Sequence, residues 1–246
     1  MNTASDLFMM MNGDDDEHKC SMMEFVKRMV KDADEQKPLV GIVAKLVAKL
    51  VDANDKLPAD REITVFHAQK APAVNVVDYA ERIAKYSSCS SCCFVVGIIY
   101  IDRFIEQQKA QNREFRMNSL NVHRLMLSSI MVAAKFLDDF YYSNEFWAKI
   151  GGVPNNELNT LELEFLFLTN FDLHVRREVY DMYRERLLEW HQQLVSNSYT
   201  GRHTTGVDGA RGCLLEAMCR GSSHSDSMGM DLDRDSGKRD EMAVDA

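Results

Sequence analysis

Proline is scarce in this 246-residue chain, with four in all, and the twelve glycines leave long segments that hold neither residue. Such segments disfavour a strand-and-turn fold, whose tight connections draw on both, and they favour helices. An excess of basic charge is also missing: 29 Lys and Arg stand against 38 Asp and Glu, for a net charge of −9. Nucleic-acid affinity is largely counterion release by Lys and Arg, so nucleic acid is not the expected partner. No apolar run reaches the length of a membrane span, and Met1 to Asp16 holds no basic stretch followed by an apolar one. Neither a membrane segment nor a secretory leader is expected. Six cysteines, three of them bunched as Cys89, Cys92 and Cys93, do not make the evenly spread framework of a secreted disulfide scaffold. A reducing compartment, cytoplasmic or nuclear, is the expected location.

What remains is an ordinary globular composition, 46% hydrophobic and 27% charged, arranged in helical periods. Residues 1–36 mix methionines with the acidic run Asp14-Asp15-Asp16-Glu17 and read as weakly ordered. Residues 194–246 turn to Ser, Gly, Asp and Thr, too polar to offset their ordering entropy, and read as a disordered acidic tail. The folded part is 37–193. It opens on Pro38, suited to a first helical position, and Leu39, Ile42, Val43, Leu46 and Leu50 then form one apolar stripe. The linker from Asp52 to Ala73 holds Pro58 and Pro72 and is expected to run over the surface.

Five helices should follow. Asn75, with Asp78 three residues on, caps the first, which runs to about Tyr86. The second begins near Ser90 and is apolar all round until Asp102 and Arg103. The third, capped at Asn118 or Ser119 and ending near Asp138, carries Lys135 as its only charge after Arg124 and must be surrounded by other helices. A short fourth, about 143–150, stops at Gly151-Gly152. The fifth begins after Pro154-Asn155-Asn156 and lines up Leu158, Leu161, Phe165 and Leu168. A short amphipathic helix, Arg177 to about Gln193, ends the domain. The fold class is all-α.

Within this order stand Tyr79-Ala-Glu-Arg-Ile-Ala-Lys-Tyr86, Tyr100-Ile-Asp-Arg-Phe104, Asn121-Val-His-Arg-Leu125, Ala133-Ala-Lys-Phe-Leu-Asp-Asp139, Trp147-Ala-Lys-Ile-Gly-Gly152 and Leu158-Asn-Thr-Leu-Glu162. Together with Asn170-Phe-Asp-Leu173 they resemble the cyclin box, most closely that of the P/U-type, phosphate-pathway-like cyclins. A preceding helix ending in Asn54-Asp55 extends the resemblance to roughly 38–175. The resemblance implies a single five-helix box, about 75–173, with an added N-terminal helix and a short C-terminal one. It implies a non-catalytic subunit that binds and activates a cyclin-dependent protein kinase, in cell-cycle progression or nutrient signalling. By the family pattern Lys135 and Glu162 face the kinase, Arg82 and Asp102 form an ion pair joining the first two helices of the box, and Leu125 or a neighbour is the fifth characteristic position. The apolar motif with which mitotic cyclins recruit substrates is absent from Asn75 to Tyr86.

The residues support these roles on physical grounds. A buried ammonium such as that of Lys135 needs a partner, and a carboxylate at the edge of a neighbouring apolar face supplies one. Glu162 lies beside the Leu158 stripe, whereas Glu164 falls roughly 200° further round the helix. Two simpler readings stay open: Lys135 snorkels from its helix end, or the two residues form only an internal ion pair. Whether the 39–50 helix packs on the box or on the partner is likewise open, and a cyclin-fold scaffold that activates no kinase remains the alternative function.

Other chemistries find less support. Cys89-Ser-Ser-Cys92 has no second CxxC or paired His to complete a structural zinc site and reads as small side chains packed at a helix start. Asp138-Asp139 lacks the third acid of a DDxxD run, and His123 has no serine-elbow or HExxH context, so it reads as a structural histidine. No metal, cofactor or catalytic residue is expected.

Overall fold

The structure, a computed structural model, describes residues 38–58 and 63–200. The N-terminal segment 1–36 and the tail beyond 200 lie outside those residues. Seven helices and no strand occur among the described residues: α1 (38–54), α2 (Val76–Ser87), α3 (Cys92–Ala110), α4 (Val122–Leu137), α5 (Asn144–Gly151), α6 (Asn155–Leu168) and α7 (Arg177–Thr200).

The centre of the bundle is the pair α3 and α4, both buried over most of their circumference. A Cβ on Gly97 would lie 3.2 Å from Ile130 Cγ1 and 3.3 Å from Ser129 Oγ. The two backbones therefore meet where α3 has no side chain and α4 has a small one. α2, α5, α6 and α7 wrap this pair.

α1 belongs to the same core. Leu39, Ile42, Val43, Leu46 and Leu50 are all buried in one cluster with the apolar residues of α2 to α7. Its stripe packs on the box, which decides the question the sequence left open. The helix runs to Asn54, whose side-chain amide donates to Met117 O at 2.8 Å and anchors its end.

The linker does more than cross the surface. Phe66 is fully buried, its ring edge-on to Phe104 at 5.3 Å and to Phe165 at 6.2 Å. One aromatic plug thus fixes an otherwise polar segment between α3 and α6. α2 starts as its cap signal indicates: Asn75 Oδ1 accepts from the Asp78 N–H at 2.8 Å, and Asn75 Nδ2 donates to Asp78 Oδ2 at 2.6 Å.

Two helix bounds differ from the sequence reading. α4 begins at Val122 because Asn118 is spent on a preceding turn, in which its side chain accepts from Leu120 N and its carbonyl from Asn121 N and Val122 N. α7 extends to Thr200 instead of stopping near Gln193. Tyr183, Leu187 and Trp190 are buried and Leu194 packs against the core, so the apolar stripe carries the helix onward. α5 ends as expected, with Gly152 in the left-handed region at φ 70°.

Candidate docking site

Lys135 projects from the last turn of α4 and Glu162 from the middle of α6. Lys135 Nζ donates to Glu162 Oε1 at 2.5 Å, with the two side chains 25% and 16% exposed. A third residue closes the arrangement. Asn144, at the first position of α5, accepts from Lys135 Nζ through Oδ1 and donates through Nδ2 to Glu162 Oε2 at 2.6 Å. Nδ2 also reaches Asn159 Oδ1 at 2.7 Å. One ammonium, one carboxylate and one amide thereby lock three helices together. A lysine ammonium has three N–H donors, and two of them are used here.

A second ion pair joins α4 to α6. The Arg124 guanidinium meets Glu157 Oε1 through Nε at 2.6 Å and through an Nη at 2.5 Å, in the first turn of α6 where the helix dipole favours an acid. The relative setting of α4 and α6 is thus held twice, and the Lys135 and Glu162 side chains inherit a fixed geometry.

Next to these residues in the chain stand exposed apolar side chains, of which Tyr142 packs on the Phe146 ring at 4.1 Å. Phe136 and Leu137 follow Lys135 directly, Phe140, Tyr141 and Tyr142 lead into Asn144, and Leu163 follows Glu162; all are exposed, Phe140 by 92%. Phe167, one turn beyond Leu163, is 63% exposed and meets Phe171 edge-on at 5.3 Å. Large apolar groups concentrated beside a partly desolvated polar centre are the make-up of a protein-docking surface.

The expected strut between Arg82 and Asp102 is not formed; each has another partner. Arg82 donates to Lys149 O at 3.1 Å, and Tyr79, on the same helix, donates its hydroxyl to Gly151 O at 3.1 Å. These are carbonyls of the last turn of α5, which have no partner within their own helix, so α2 serves as its C-terminal cap. Asp102 is buried at 2% exposure and accepts the Tyr183 hydroxyl at 2.9 Å. It faces α7, not α2. Beside it, Tyr100 donates to Leu173 O at 2.7 Å and Arg103 holds Asp172 O and His174 O at 2.6 and 3.0 Å, fastening the connector between α6 and α7. Leu125 is fully buried, a core residue.

His123 is structural in its contacts. Its Nε2 donates to Val74 O at 2.7 Å, its ring stands edge-on to Tyr79 at 4.8 Å, and burial pulls its pKa below the ordinary histidine value. Asn144 and the Arg124–Glu157 pair were not singled out by sequence reasoning. Asn144 carries no local sign of its role beyond its place directly after the Ser143 cap position.

The family model described as Cyclin matches residues 21–173. The chain belongs to the cyclin family. Its match opens at residue 21, further toward the N-terminus than the 38–175 that the quoted words covered. This cyclin is 41% identical over 149 residues to Cyclin-U4-1 of Arabidopsis thaliana, across 59% of the present chain and 72% of that protein. It is 42% identical over 147 residues to Cyclin-U1-1 of the same plant, across 58% and 68%. It is 37% identical over 175 residues to Cyclin-P3-1 of Oryza sativa subsp. japonica, across 68% and 72%. The likeness is to cyclins of the P/U type. A cyclin has a regulatory role, and no helix among the described residues is long and apolar enough to cross a membrane.

Proposed function

We propose that this cyclin binds and activates a cyclin-dependent protein kinase through the face formed by the end of α4, the 138–143 connector and α6. The observation that carries the reading is the Lys135–Asn144–Glu162 network with exposed Phe136, Phe140, Tyr141 and Leu163 beside it. The aromatic and aliphatic groups supply the area that excludes water. The network presents a donor and carboxylate oxygens that are already oriented, so little ordering entropy is lost when a partner's backbone groups meet them. Arg82 and Asp102 act on this surface only by holding α5 and α7 in place. Cell-cycle progression or nutrient signalling, in the cytoplasm or nucleus, is the setting that fits such a subunit.

The test is co-expression with candidate cyclin-dependent kinases. Lys135→Ala combined with Glu162→Ala, or Phe140→Ser alone, should abolish co-purification while the helical circular dichroism stays unchanged. Undiminished co-purification of both variants would remove this face from the interface. Phosphate transfer by the purified pair separates an activator from a scaffold: binding without a rise in kinase activity would support the scaffold.

A further inference from the structure

The thiols at the start of α3 have a neighbour that the local sequence does not supply. Cys92 and Cys93 are the first two residues of α3, and Asp138, the residue after α4, is brought to them by the fold. One donor atom from each of Cys92, Cys93 and Asp138 lies within 4.8 Å of the other two. Cys93 Sγ stands 3.5 Å from Asp138 Oδ2. A zinc ion about 2.3 Å from a thiolate sulfur and about 2.0 Å from a carboxylate oxygen, at the tetrahedral angle, sets those donors about 3.5 Å apart. Three protein donors leave the fourth position of a tetrahedral ion to a solvent ligand.

We propose that Cys92, Cys93 and Asp138 form a site for a thiophilic divalent cation, zinc by preference, which ties the start of α3 to the end of α4. Binding releases two thiol protons to solvent and leaves three anionic ligands around a dication, a net charge of −1 that the surroundings must offset. Two features do so. The thiolates of Cys92 and Cys93 sit at the N-terminus of a 19-residue helix, where the dipole favours anions. Asp138 is oriented by the Ser90 hydroxyl at 2.6 Å and the Ser90 N–H at 3.1 Å. Outer donors that fix ligand orientation are thus in place. Soft sulfur donors with a single carboxylate select zinc over magnesium or calcium, which take oxygen ligands. Counting only Cys and His along the chain misses this site, because its oxygen ligand lies 45 residues from Cys93.

The test uses the full chain, reduced, stripped of metal and titrated with cobalt(II) as a spectroscopic stand-in for zinc. One equivalent should bind with the intense visible bands of tetrahedral thiolate coordination. A Cys20→Ser, Cys213→Ser, Cys219→Ser variant should keep the spectrum, Cys92→Ser should lose it, and Asp138→Asn should weaken cobalt binding by about tenfold or more, at least the cost of losing an outer-shell partner. Excess zinc should slow alkylation of Cys92 in the unaltered protein, a readout that needs no variant to fold. The proposal is overturned by an absent or octahedral spectrum, by a spectrum that survives Cys92→Ser or vanishes in the triple variant, or by alkylation that zinc leaves unchanged. A disulfide among Cys89, Cys92 and Cys93 in protein purified without oxidant would also overturn it.

Discussion

Neutralising Lys135 and Glu162 singly and together should show that each charge depends on the other. The perturbations are Lys135→Met, Glu162→Gln and the double variant, which keep side-chain volume while removing charge. The pair is closed at 2.5 Å with exposures of 25% and 16%, neither buried nor free in water. Exposed pairs couple by about 0.2–1 kcal/mol, whereas removing one partner of a fully buried pair costs roughly 3–5 kcal/mol. Asn144 contacts both residues and still offers a neutral partner to whichever charge is left. Each single change should therefore cost about 2 kcal/mol, with a coupling of about 1.5 kcal/mol. The double variant then loses about 2.5 kcal/mol, where independent sites would lose about 4 kcal/mol. Urea unfolding followed by circular dichroism measures all four proteins, and equal slopes confirm that only stability has changed. Because the pair is largely withdrawn from solvent, moderate salt should leave most of the coupling in place. Additivity within about 0.5 kcal/mol would refute the reasoning, since it would mean that the two charges do not meet in the folded protein.

Phe66→Ala should destabilise the protein by roughly 3–5 kcal/mol, because a fully buried ring between Phe104 and Phe165 is removed and helices on both sides resist collapse; a loss below about 1 kcal/mol in the same urea assay would show that the linker is not anchored there. His123 should contribute a pH dependence of definite sign. Burial depresses its folded-state pKa below the ordinary 6.5, so below that pH the unfolded chain takes up a proton that the folded one resists. Its stabilisation is full above 6.5 and is lost as the pH falls toward the folded-state value. His123→Gln can still donate to Val74 O but does not titrate. The fall in unfolding free energy between about pH 7.5 and 5.5 should be smaller for that variant than for the unaltered protein, and equal falls would assign the acid sensitivity elsewhere.

Most helices were legible because their signals are local. The Asn75 cap, the Gly151-Gly152 stop and the buried stripe of α6 each rest on residues within a turn or two of one another. Where the reading slipped, a competing contact decided. Asn118 has the chemistry of a helix cap but is used to build the turn before α4. Phe66 gave no periodic signal, since a single aromatic in a polar linker looks the same whether it plugs a core or faces water. The Arg82–Asp102 pairing followed from opposite charge in the right two helices. Local geometry favoured other partners: the carbonyls at the end of α5 lie within reach of Arg82, and a tyrosine hydroxyl 81 residues from Asp102 covers the carboxylate.

The site shows the same boundary at closer range. Lys135 stood out as a lone charge on a buried helix, and Glu162 as an acid beside an apolar stripe, because both exceptions can be read within one element. What makes them a surface is convergence. The last turn of α4 is tied to α5 and α6 through Lys135, while Asp138, three residues on, is tied to the start of α3 through Ser90 and Cys93. Three other helices thus fix this one turn of α4, and the chain leaves it as Phe140-Tyr141-Tyr142 with all three rings exposed. Exposed aromatics forgo the stabilisation that burying their apolar area would give. Both ends of the connector, at Asp138 and at Asn144, are held by hydrogen bonds. The Lys135 network and the Asp138 contacts thus flank the connector that carries this exposed apolar patch.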